Sequence, residues 1–419
     1  MPLKVVIVGG GIAGLAAAIA FSRHGHNVHV YERRNPSKHG ESGSGILLMP
    51  NVIPILKQWG MLNELQKHAH PAPTTEMRMP DGEVIMSRDW AHRGEVWYGL
   101  RGEFNAMFRR TAVANGATIV DNMNVSHVDP ERGAVVLQDG PSMEADLIIG
   151  ADGSSSKVRQ NLFPDYKPTT LDMACFQISM PLSEVENDPT LSPLTSGPAT
   201  VIILSPGRNI YASPAPAQNS FDIQFVDQEY TLAQDPHPDL LNERITDLEW
   251  LRIRWSDHSP AYQAIIQKAE SAFKWRFMEI RDLPSWSRGN GALLGDACHS
   301  MRPFAGQGCA SGIEDAAVLA NLLRNASSGD DVGRALAEYE RLRRPRVERI
   351  QDFAAAMGRI WSCRGEDIEK RNVAWRESRQ QDVKTAVPDM NAAFNSAEFT
   401  ALLDRYDVVG SSSSGQANL

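Results

Sequence analysis

The first strand and turn of the chain constrain it more than any other feature. Lys4-Val-Val-Ile-Val8 is a short β-branched run of the kind that fills a fully buried parallel strand. It runs straight into Gly9-Gly10-Gly11-Ile12-Ala13-Gly14, which satisfies G-x-G-x-x-G. Leu15 to Arg23 then read as an alanine-rich helix stopped by Gly25, and Val28-His29-Val30-Tyr31 as a second strand ending at Glu32. Gly9 permits the tight turn, Gly11 lets the backbone approach a pyrophosphate, and Gly14 lets helix and strand pack closely. Free N–H groups at the helix start face the phosphates, while Glu32, eighteen residues after Gly14, accepts hydrogen bonds from an adenosine ribose. Arg33 adjoins it and is counted among the cofactor residues. The pattern predicts a dinucleotide site. It leaves FAD and NAD equally open, since both carry the same adenosine diphosphate half.

Composition removes several classes of function. A chain of 419 residues holds two to three lobes at roughly 150 residues per domain. Its 42 basic and 51 acidic residues leave a net charge of −9, the reverse of a nucleic-acid binder. The four cysteines, Cys175, Cys298, Cys309 and Cys363, form no C-x-x-C, so a reduced, cytoplasmic protein is expected and a flavin–disulfide reductase is not. His24, His26 and His29 lack Cys, Asp or Glu at ligand spacing and read as a solvated loop, with no metal expected. The uncharged run from Val5 to Ser22 is broken by glycines and is short for a membrane span, so neither a signal peptide nor a membrane anchor is expected.

Further along, Glu41–Asn51 reads as a glycine-rich loop leading to a helix over Val52–Trp59, and Arg101 opens a helix that runs to Ala114. Ile119–Leu137 reads as a small meander, and Ala145–Ile149 as another buried strand, ending at Gly150-Ala-Asp152-Gly153. From about Asp172 to Arg281 the pattern changes to short strands, with helical stretches near Leu240–Leu251 and Ala261–Ala269. The α/β pattern returns at Gly291–Asp296, followed by the loop Pro303–Gly308 and a helix over Ile313–Leu323. A long arginine-rich helix covers Gly333–Phe353, and a charged helical stretch Cys363–Val383. The expected organisation is an α/β, Rossmann-like FAD-binding domain (1–171 and 283–330) with an inserted antiparallel-sheet substrate domain (172–282). C-terminal helices (331–409) and a serine-rich disordered tail (410–419) complete it.

Asp296 decides between the cofactors. Like Glu32 it stands at a strand C-terminus, where parallel sheets place their ligands, and it can bind the ribityl hydroxyls that FAD has and NAD lacks. The glycines of Pro303–Gly308 expose backbone N–H groups at a helix start. Aimed at the flavin N1/O2 edge, they would stabilise the anionic reduced ring by roughly 3 kcal/mol per donor. No second G-x-G-x-x-G occurs, so a pyridine nucleotide binds without a Rossmann lobe of its own.

With these residues assembled, the chain resembles a class A flavoprotein aromatic hydroxylase, of the para-hydroxybenzoate hydroxylase fold and the salicylate hydroxylase-like branch. The matching stretches are Gly9-x-Gly11-x-x-Gly14 with Glu32, Gly150-Ala-Asp152-Gly153 with Val158-Arg159, and Gly295-Asp296-Ala-Cys-His299. Pro303-x-x-Gly306-Gln307-Gly308 and Glu314-Asp315-Ala316 complete them, over about residues 3–355. The resemblance implies that Arg101 contacts FAD, that Gly45 lies against the flavin, and that Asp152 with Arg159 supports FAD and a passing NADH or NADPH. Gly306, Gln307, Gly308 and Cys309 would line the flavin. Tyr339, Arg343 and Arg346 match the family's long-helix pattern, in a structural role. It also implies a mechanism: NAD(P)H reduces FAD, O₂ adds to give a C4a-hydroperoxide, and one oxygen passes to an electron-rich ring.

Relatives carry Tyr-Pro at the end of a central strand where this chain has Ser213-Pro214, and Tyr211, on the same face, takes the place of that phenol. Tyr211, Pro303 and Gly306 are therefore the candidate catalytic residues. Leu47, Met49, Tyr211, Ser213, Gln224 and Phe304 are the candidate substrate residues, with Trp97 in the same apolar set. Two alternatives stay open at this point: epoxidation or ring rearrangement of a fused, indole-type ring, and a flavin-binding redox sensor without turnover. The expected assembly is a monomer or homodimer.

Overall fold

The computed structural model describes residues 2–35, 44–91, 93–138, 140, 142–197, 200–326, 329–380, 397–406 and 408. Strand β1 (Lys4–Val8) lies at the centre of the first sheet, flanked in parallel by β2 (Asn27–Glu32) and β12 (Leu147–Gly150). β8 (Thr118–Asp121) extends it on one side, and β20 (Gly291–Leu293) with the short antiparallel β19 (Ser287–Arg288) on the other. Val5, Val6 and Ile7 are fully buried, as a β-branched run covered on both faces must be. Helix α1 (Ile12–Arg23) packs on this sheet, burying Ala16, Ala17, Ala18 and Ala20 together with Leu15, Ile19 and Phe21. A Cβ on Gly14 would stand 2.1 Å from the carbonyl oxygen of Gly9, so only glycine allows that approach.

The helical stretches of the back half close onto the same place. A Cβ added at Gly295 or Gly312 would fall 2.8 Å and 2.9 Å from the Ala13 methyl. The short helix α6 (Asp296–His299) and the long α7 (Gly308–Leu323) therefore start beside the first turn of α1. Behind them runs α8 (Gly329–Trp361), held by a buried ionic lock. Arg343 reaches Glu314 at 2.7 Å and Asp315 at 2.8 Å, Arg346 meets Glu314 at 2.7 Å, and His299 meets Asp315 at 2.5 Å. Burial pushes the Asp315 carboxyl up, but the His299 and Arg343 charges outweigh it and hold the group at about 2. Tyr339 donates to the Leu293 carbonyl at 3.1 Å, which fits the structural part expected for Tyr339, Arg343 and Arg346.

The second sheet has eight strands. In spatial order they are β17 (Asn242–Ile245), β18 (Ala272–Glu279), β13 (Thr169–Pro181), β16 (Ser220–Asp227), β15 (Arg208–Ala215), β14 (Thr200–Ser205), β5 (Thr74–Arg78) and β6 (Val84–Asp89). Two of them thus come from residues 74–89, far ahead of the rest in the chain. Strand alternation divides the residues cleanly. Phe176, Ile178, Ile203, Ile210, Ile223 and Phe225 pack under Leu251 and Trp255 of the helical region 248–255 and Ile265 and Ile266 of a helix over Pro260–Lys268. The opposite face carries Cys175, Gln177, Ser179, Tyr211, Ser213, Asp222 and Gln224, and it meets a small sheet of β3 (Gly45–Leu48), β7 (Trp97–Leu100) and β4 (His70–Pro71). A last sheet, β9 (Val125–Asp129), β10 (Ala134–Leu137) and β11 (Ser142–Glu144), is a meander shifted along the chain from the expected Ile119–Leu137: Ile119 and Val120 pair with β2 as part of β8, and Ser142–Glu144 takes the third place.

Three local expectations change. The glycine-rich segment before Asn51 is a strand over Gly45–Leu48, because β7 offers it an antiparallel ladder; residues 41–43 lie outside the described residues. Leu240–Leu251 splits into β17 and a helix over Glu249–Arg254, since pairing with β18 outweighs local helix propensity. His26 is not solvated: it is buried, accepts from the Leu3 N–H at 3.2 Å and meets the Leu323 carbonyl at 3.1 Å, so it ties strand β1 to α7. The tail 410–419 lies outside the described residues. Among the described residues no helix is long and apolar enough to cross a membrane.

Candidate active site

The glycine turn has the shape its residues demand. Gly9 adopts φ +109° and a Cβ there would stand 2.4 Å from the Ala151 carbonyl oxygen, so two strand ends meet at it. Gly11 is the N-cap of α1, at φ −72° and ψ 174°, and a Cβ on it would meet nothing within 4 Å. The first-turn N–H groups of α1 have no partners inside the helix, and no acidic side chain sits in that turn. Open space over Gly11, backed by donors and a positive helix end, fits a diphosphate. Glu32 closes the side of the turn: its carboxylate accepts from Gly10 N–H at 2.6 Å and Arg34 N–H at 2.7 Å. Arg33 is exposed beside it. Asn105, not singled out from the sequence, is buried and donates to the Gly10 carbonyl at 2.8 Å, bracing the loop from below.

The second anchor lies close by. Asp296 is the exposed first residue of α6 in a run of buried neighbours. Burial pushes the Cys309 thiol up to about 12, the Arg101 charge pulls it back and the Asp296 charge pushes it further. Arg101, Asp296 and Cys309 therefore share one environment, although they span more than two hundred residues of chain. Pro303 opens a single 3₁₀ turn through Ala305, and Gly306 takes the left-handed conformation at φ +65° that turns the chain into α7. A Cβ at Gly308 would meet nothing within 4 Å, so this helix start is open as well. Gln307 caps it, but its side chain is buried, accepting from Asn51 at 3.0 Å and donating to the Leu403 carbonyl at 3.2 Å; only its backbone is left for a ligand. Asp152 is taken up by the Ser156 hydroxyl at 2.5 Å and the Lys157 N–H at 2.7 Å, capping a helix over Lys157–Leu162. Arg159 donates to the carbonyls of Ala297 at 2.8 Å and Ser154 at 2.6 Å, so this pair braces the segment that bears Asp296.

Above these anchors stands the polar face of the second sheet. Tyr211 pairs across from Gln224, and Ser213 from Asp222. The Tyr211 ring lies 5.8 Å from that of Trp361, which lies 5.5 Å from Phe304. The Tyr211 hydroxyl and the Trp361 indole N–H are both buried, and neither has a hydrogen-bond partner among the described residues. Burial pushes the Tyr211 phenol well up, so it stays protonated and is a donor. Met49 approaches the loop: its sulfur is 3.6 Å from where a Gly306 Cβ would be. Leu47 stands opposite Tyr98 in the β3–β7 ladder. Trp97 is placed differently from expectation, because it pairs with Leu48 on the other face and donates to Glu95 at 3.2 Å.

The group that sequence reasoning missed is Asp222. It is 2 % exposed and accepts from Gln177 at 2.6 Å, Gln224 at 2.8 Å, the Gly45 N–H at 2.9 Å and the Tyr98 hydroxyl at 3.4 Å. Burial pushes its carboxyl above the usual carboxylate range, and these donors pull it only part of the way back. Gln224 also donates to the Gly45 carbonyl at 3.2 Å, so the Gly45 residue is gripped at both its N–H and its C=O by the substrate sheet. A Cβ at Gly45 would run into the Tyr98 hydroxyl at 1.8 Å. The signal was present: Asp222 stands two residues before Gln224 and shares its face by strand alternation.

Comparison with known proteins agrees with this geometry. The chain matches the FAD binding domain family over residues 2–354. It is 30% identical over 400 residues to the FAD-dependent monooxygenase cfoG of Aspergillus candidus, covering 88% of each chain. It is 30% identical to 6-hydroxynicotinate 3-monooxygenase of Pseudomonas fluorescens, over 83% of this chain and 89% of that one. The crystal structure of CtdE in complex with FAD and a substrate has the same fold, with a TM-score of 0.77 at 22% identity, over 91% of this chain and 98% of that one. The chain belongs to the FAD-binding domain family and is an FAD-dependent monooxygenase of the aromatic-hydroxylase type.

Proposed function

We propose that the protein uses NADH or NADPH and O₂ to hydroxylate a small aromatic or heteroaromatic molecule held between the flavin and the polar face of the second sheet. One observation carries this reading: two open helix starts, with Arg101 and Asp296 both acting on Cys309 at the second, lie beneath a sheet face whose phenol and indole N–H, beside a phenylalanine ring, have no partner among the described residues. Bound FAD supplies electron transfer from the nicotinamide and activation of dioxygen.

The chain's own residues supply placement. Gly9, Gly11 and Gly14 shape the turn that takes the diphosphate, with Glu32, flanked by Arg33, beside the adenosine ribose. Arg101 and Asp296 hold the middle of the cofactor, Asp296 by accepting from the ribityl hydroxyls. Asp152 acts one step back, through the helix it caps and through Arg159. The backbone N–H groups of Gly308 and Cys309, set up by the Pro303–Gly306 turn and the Gln307 cap, direct a positive helix end at the ring edge on which negative charge builds, worth about 3 kcal/mol for each well-placed donor. Gly45 lies along the ring. Leu47, Met49 and Phe304 exclude water from the aromatic substrate, while Tyr211 donates to a substrate oxygen, with Ser213 and Gln224 on the same face. The heteroaromatic substrate named for the 6-hydroxynicotinate relative supports this class of molecule.

The test is a panel of phenols, indoles and heteroaromatics offered to the FAD-loaded protein under ¹⁸O₂. Faster NAD(P)H oxidation with one labelled oxygen in the product is the expected result. Hydrogen peroxide alone with every compound, at an unchanged rate, would refute it.

A further inference from the structure

The charge of the sheet face says more about the substrate than its shape does. Asp222 is surrounded by donors: Gln177 and Ser179 approach one oxygen, and the Gly45 N–H, Gln224 and Tyr98 the other. The three nitrogen donors do not accept a carboxyl proton, so this donor set favours the ionised form against the burial that opposes it. Among the described residues no ion pair offsets that charge. Its cross-strand row runs through Ser179, Ser213, Thr200 and Thr75 to Arg88, the one cation on it. Arg88 lies four strands away, about 19 Å at the usual strand spacing, and stacks over Trp90. The next row, through Phe273, Gln177, Gln224, Tyr211, Ile202 and Met77, has its one charge at the far edge, where the exposed Arg244 stands three strands from Gln224 and donates to Ser271. Arg371, buried behind Trp361, spends its donors on the carbonyls of Ile360 and Trp361 and on Asn372. Arg101, whose backbone N–H donates to the Ser44 carbonyl at 2.8 Å, is the cation assigned above to FAD.

Resting on the placement proposed above, we infer that Asp222 is a specificity-determining residue: it makes this site take uncharged aromatic molecules and turn away carboxylated ones. A substrate anion on this face meets a fixed negative charge and, among the described residues, no guanidinium or ammonium left over to pair with it, whereas a neutral hydroxyl, amide or lactam finds the Tyr211 and Trp361 donors. Asp222 acts on the choice of ligand and on the position of Gly45 without entering the chemistry.

Matched pairs of probes test this, titrated into FAD-loaded protein and followed by the flavin absorbance: salicylate against salicylamide, and 6-hydroxynicotinate against 6-hydroxynicotinamide. The amide of each pair is expected to bind about tenfold or more tighter than the acid, and Asp222→Asn to narrow that gap to about threefold by improving the acid. Acids that bind wild type as well as their amides overturn the inference, and so does a flavin spectrum that neither amide moves. The wild-type comparison stands even if Asp222→Asn fails to fold. Amide binding with no compound ever stimulating NAD(P)H oxidation would instead refute the proposed reaction and leave charge selection intact.

Discussion

Replacing Gly11 with alanine separates folding from cofactor binding. Gly11 has φ −72° and ψ 174°, an extended conformation open to any residue, and its Cβ direction is clear to 4 Å. Alanine is a poorer N-cap than glycine by under about 1 kcal/mol, and it lowers unfolded-state entropy by about 0.4–1 kcal/mol in the protein's favour. The two offset, so the apoprotein should keep its stability to within about 1 kcal/mol. The new methyl, however, occupies the approach to the diphosphate. A displacement that lengthens two or three backbone N–H contacts costs about 1.4–2.8 kcal/mol, a tenfold to hundredfold loss of FAD affinity. Gly14→Ala gives the opposite pattern, because its Cβ would stand 2.1 Å from the Gly9 carbonyl oxygen and force helix and strand apart, at about 1–3 kcal/mol of stability or more. Urea titration of both apoproteins and quenching of flavin fluorescence on binding read the two quantities. Wild-type FAD affinity in Gly11→Ala, or a stability loss as large as that of Gly14→Ala, would refute the reasoning.

Three further outcomes follow from the geometry. Tyr211→Phe removes a buried hydroxyl that has no partner, so stability should hold or rise by up to about 1 kcal/mol while the Michaelis constant for the aromatic substrate rises; an unchanged constant would remove Tyr211 from the site. Arg343→Met leaves Glu314 and Asp315 under-compensated in the core and should cost about 3–5 kcal/mol by urea unfolding, against under about 1 kcal/mol for Lys57→Met in an exposed pair. His258 is 3 % exposed, with burial pushing its pKa from 6.5 to about 4 while it holds Asp257 and Ser205 at 2.9 Å each. Between those values the unfolded chain binds the proton and the folded one does not, so its contribution is lost as pH falls from 6.5 to 4, by about 3 kcal/mol at most. Urea midpoints at pH 7 and pH 5 should converge in His258→Gln relative to wild type, and an unchanged pH dependence would count against this.

What could be read from the residues alone divides along physical lines. Glu32, Asp296 and the glycines at 9, 11, 14 and 306 were legible because each is demanded by backbone geometry or by its place at a strand end, which are local properties. Tyr211 was placed by strand alternation with Ser213, and the register sets it directly opposite Gln224, which had been named without such an argument. Strand alternation could place Asp222 on the face of Gln224, but its grip on Gly45, 177 residues earlier, is a contact between lobes that no periodicity encodes. Trp361 was missed because the long helix, read as ending at Phe353, runs on to Trp361 and so carries its ring to Tyr211 and Phe304. The strands over Thr74–Arg78 and Val84–Asp89 join the second sheet through a parallel pairing of Thr200 with Thr75, which only the assembled fold specifies. His26 shows the reverse error, where a polar residue at a turn became an internal tether.

The two-ended grip on FAD is tested most directly by calorimetric titration of Asp296→Ala apoprotein with FAD and, separately, with ADP. Glu32 and the Gly11 turn should still hold ADP with wild-type affinity, while FAD, deprived of its second anchor, should weaken by about tenfold or more. Equal losses for both ligands, or none for either, would contradict the account.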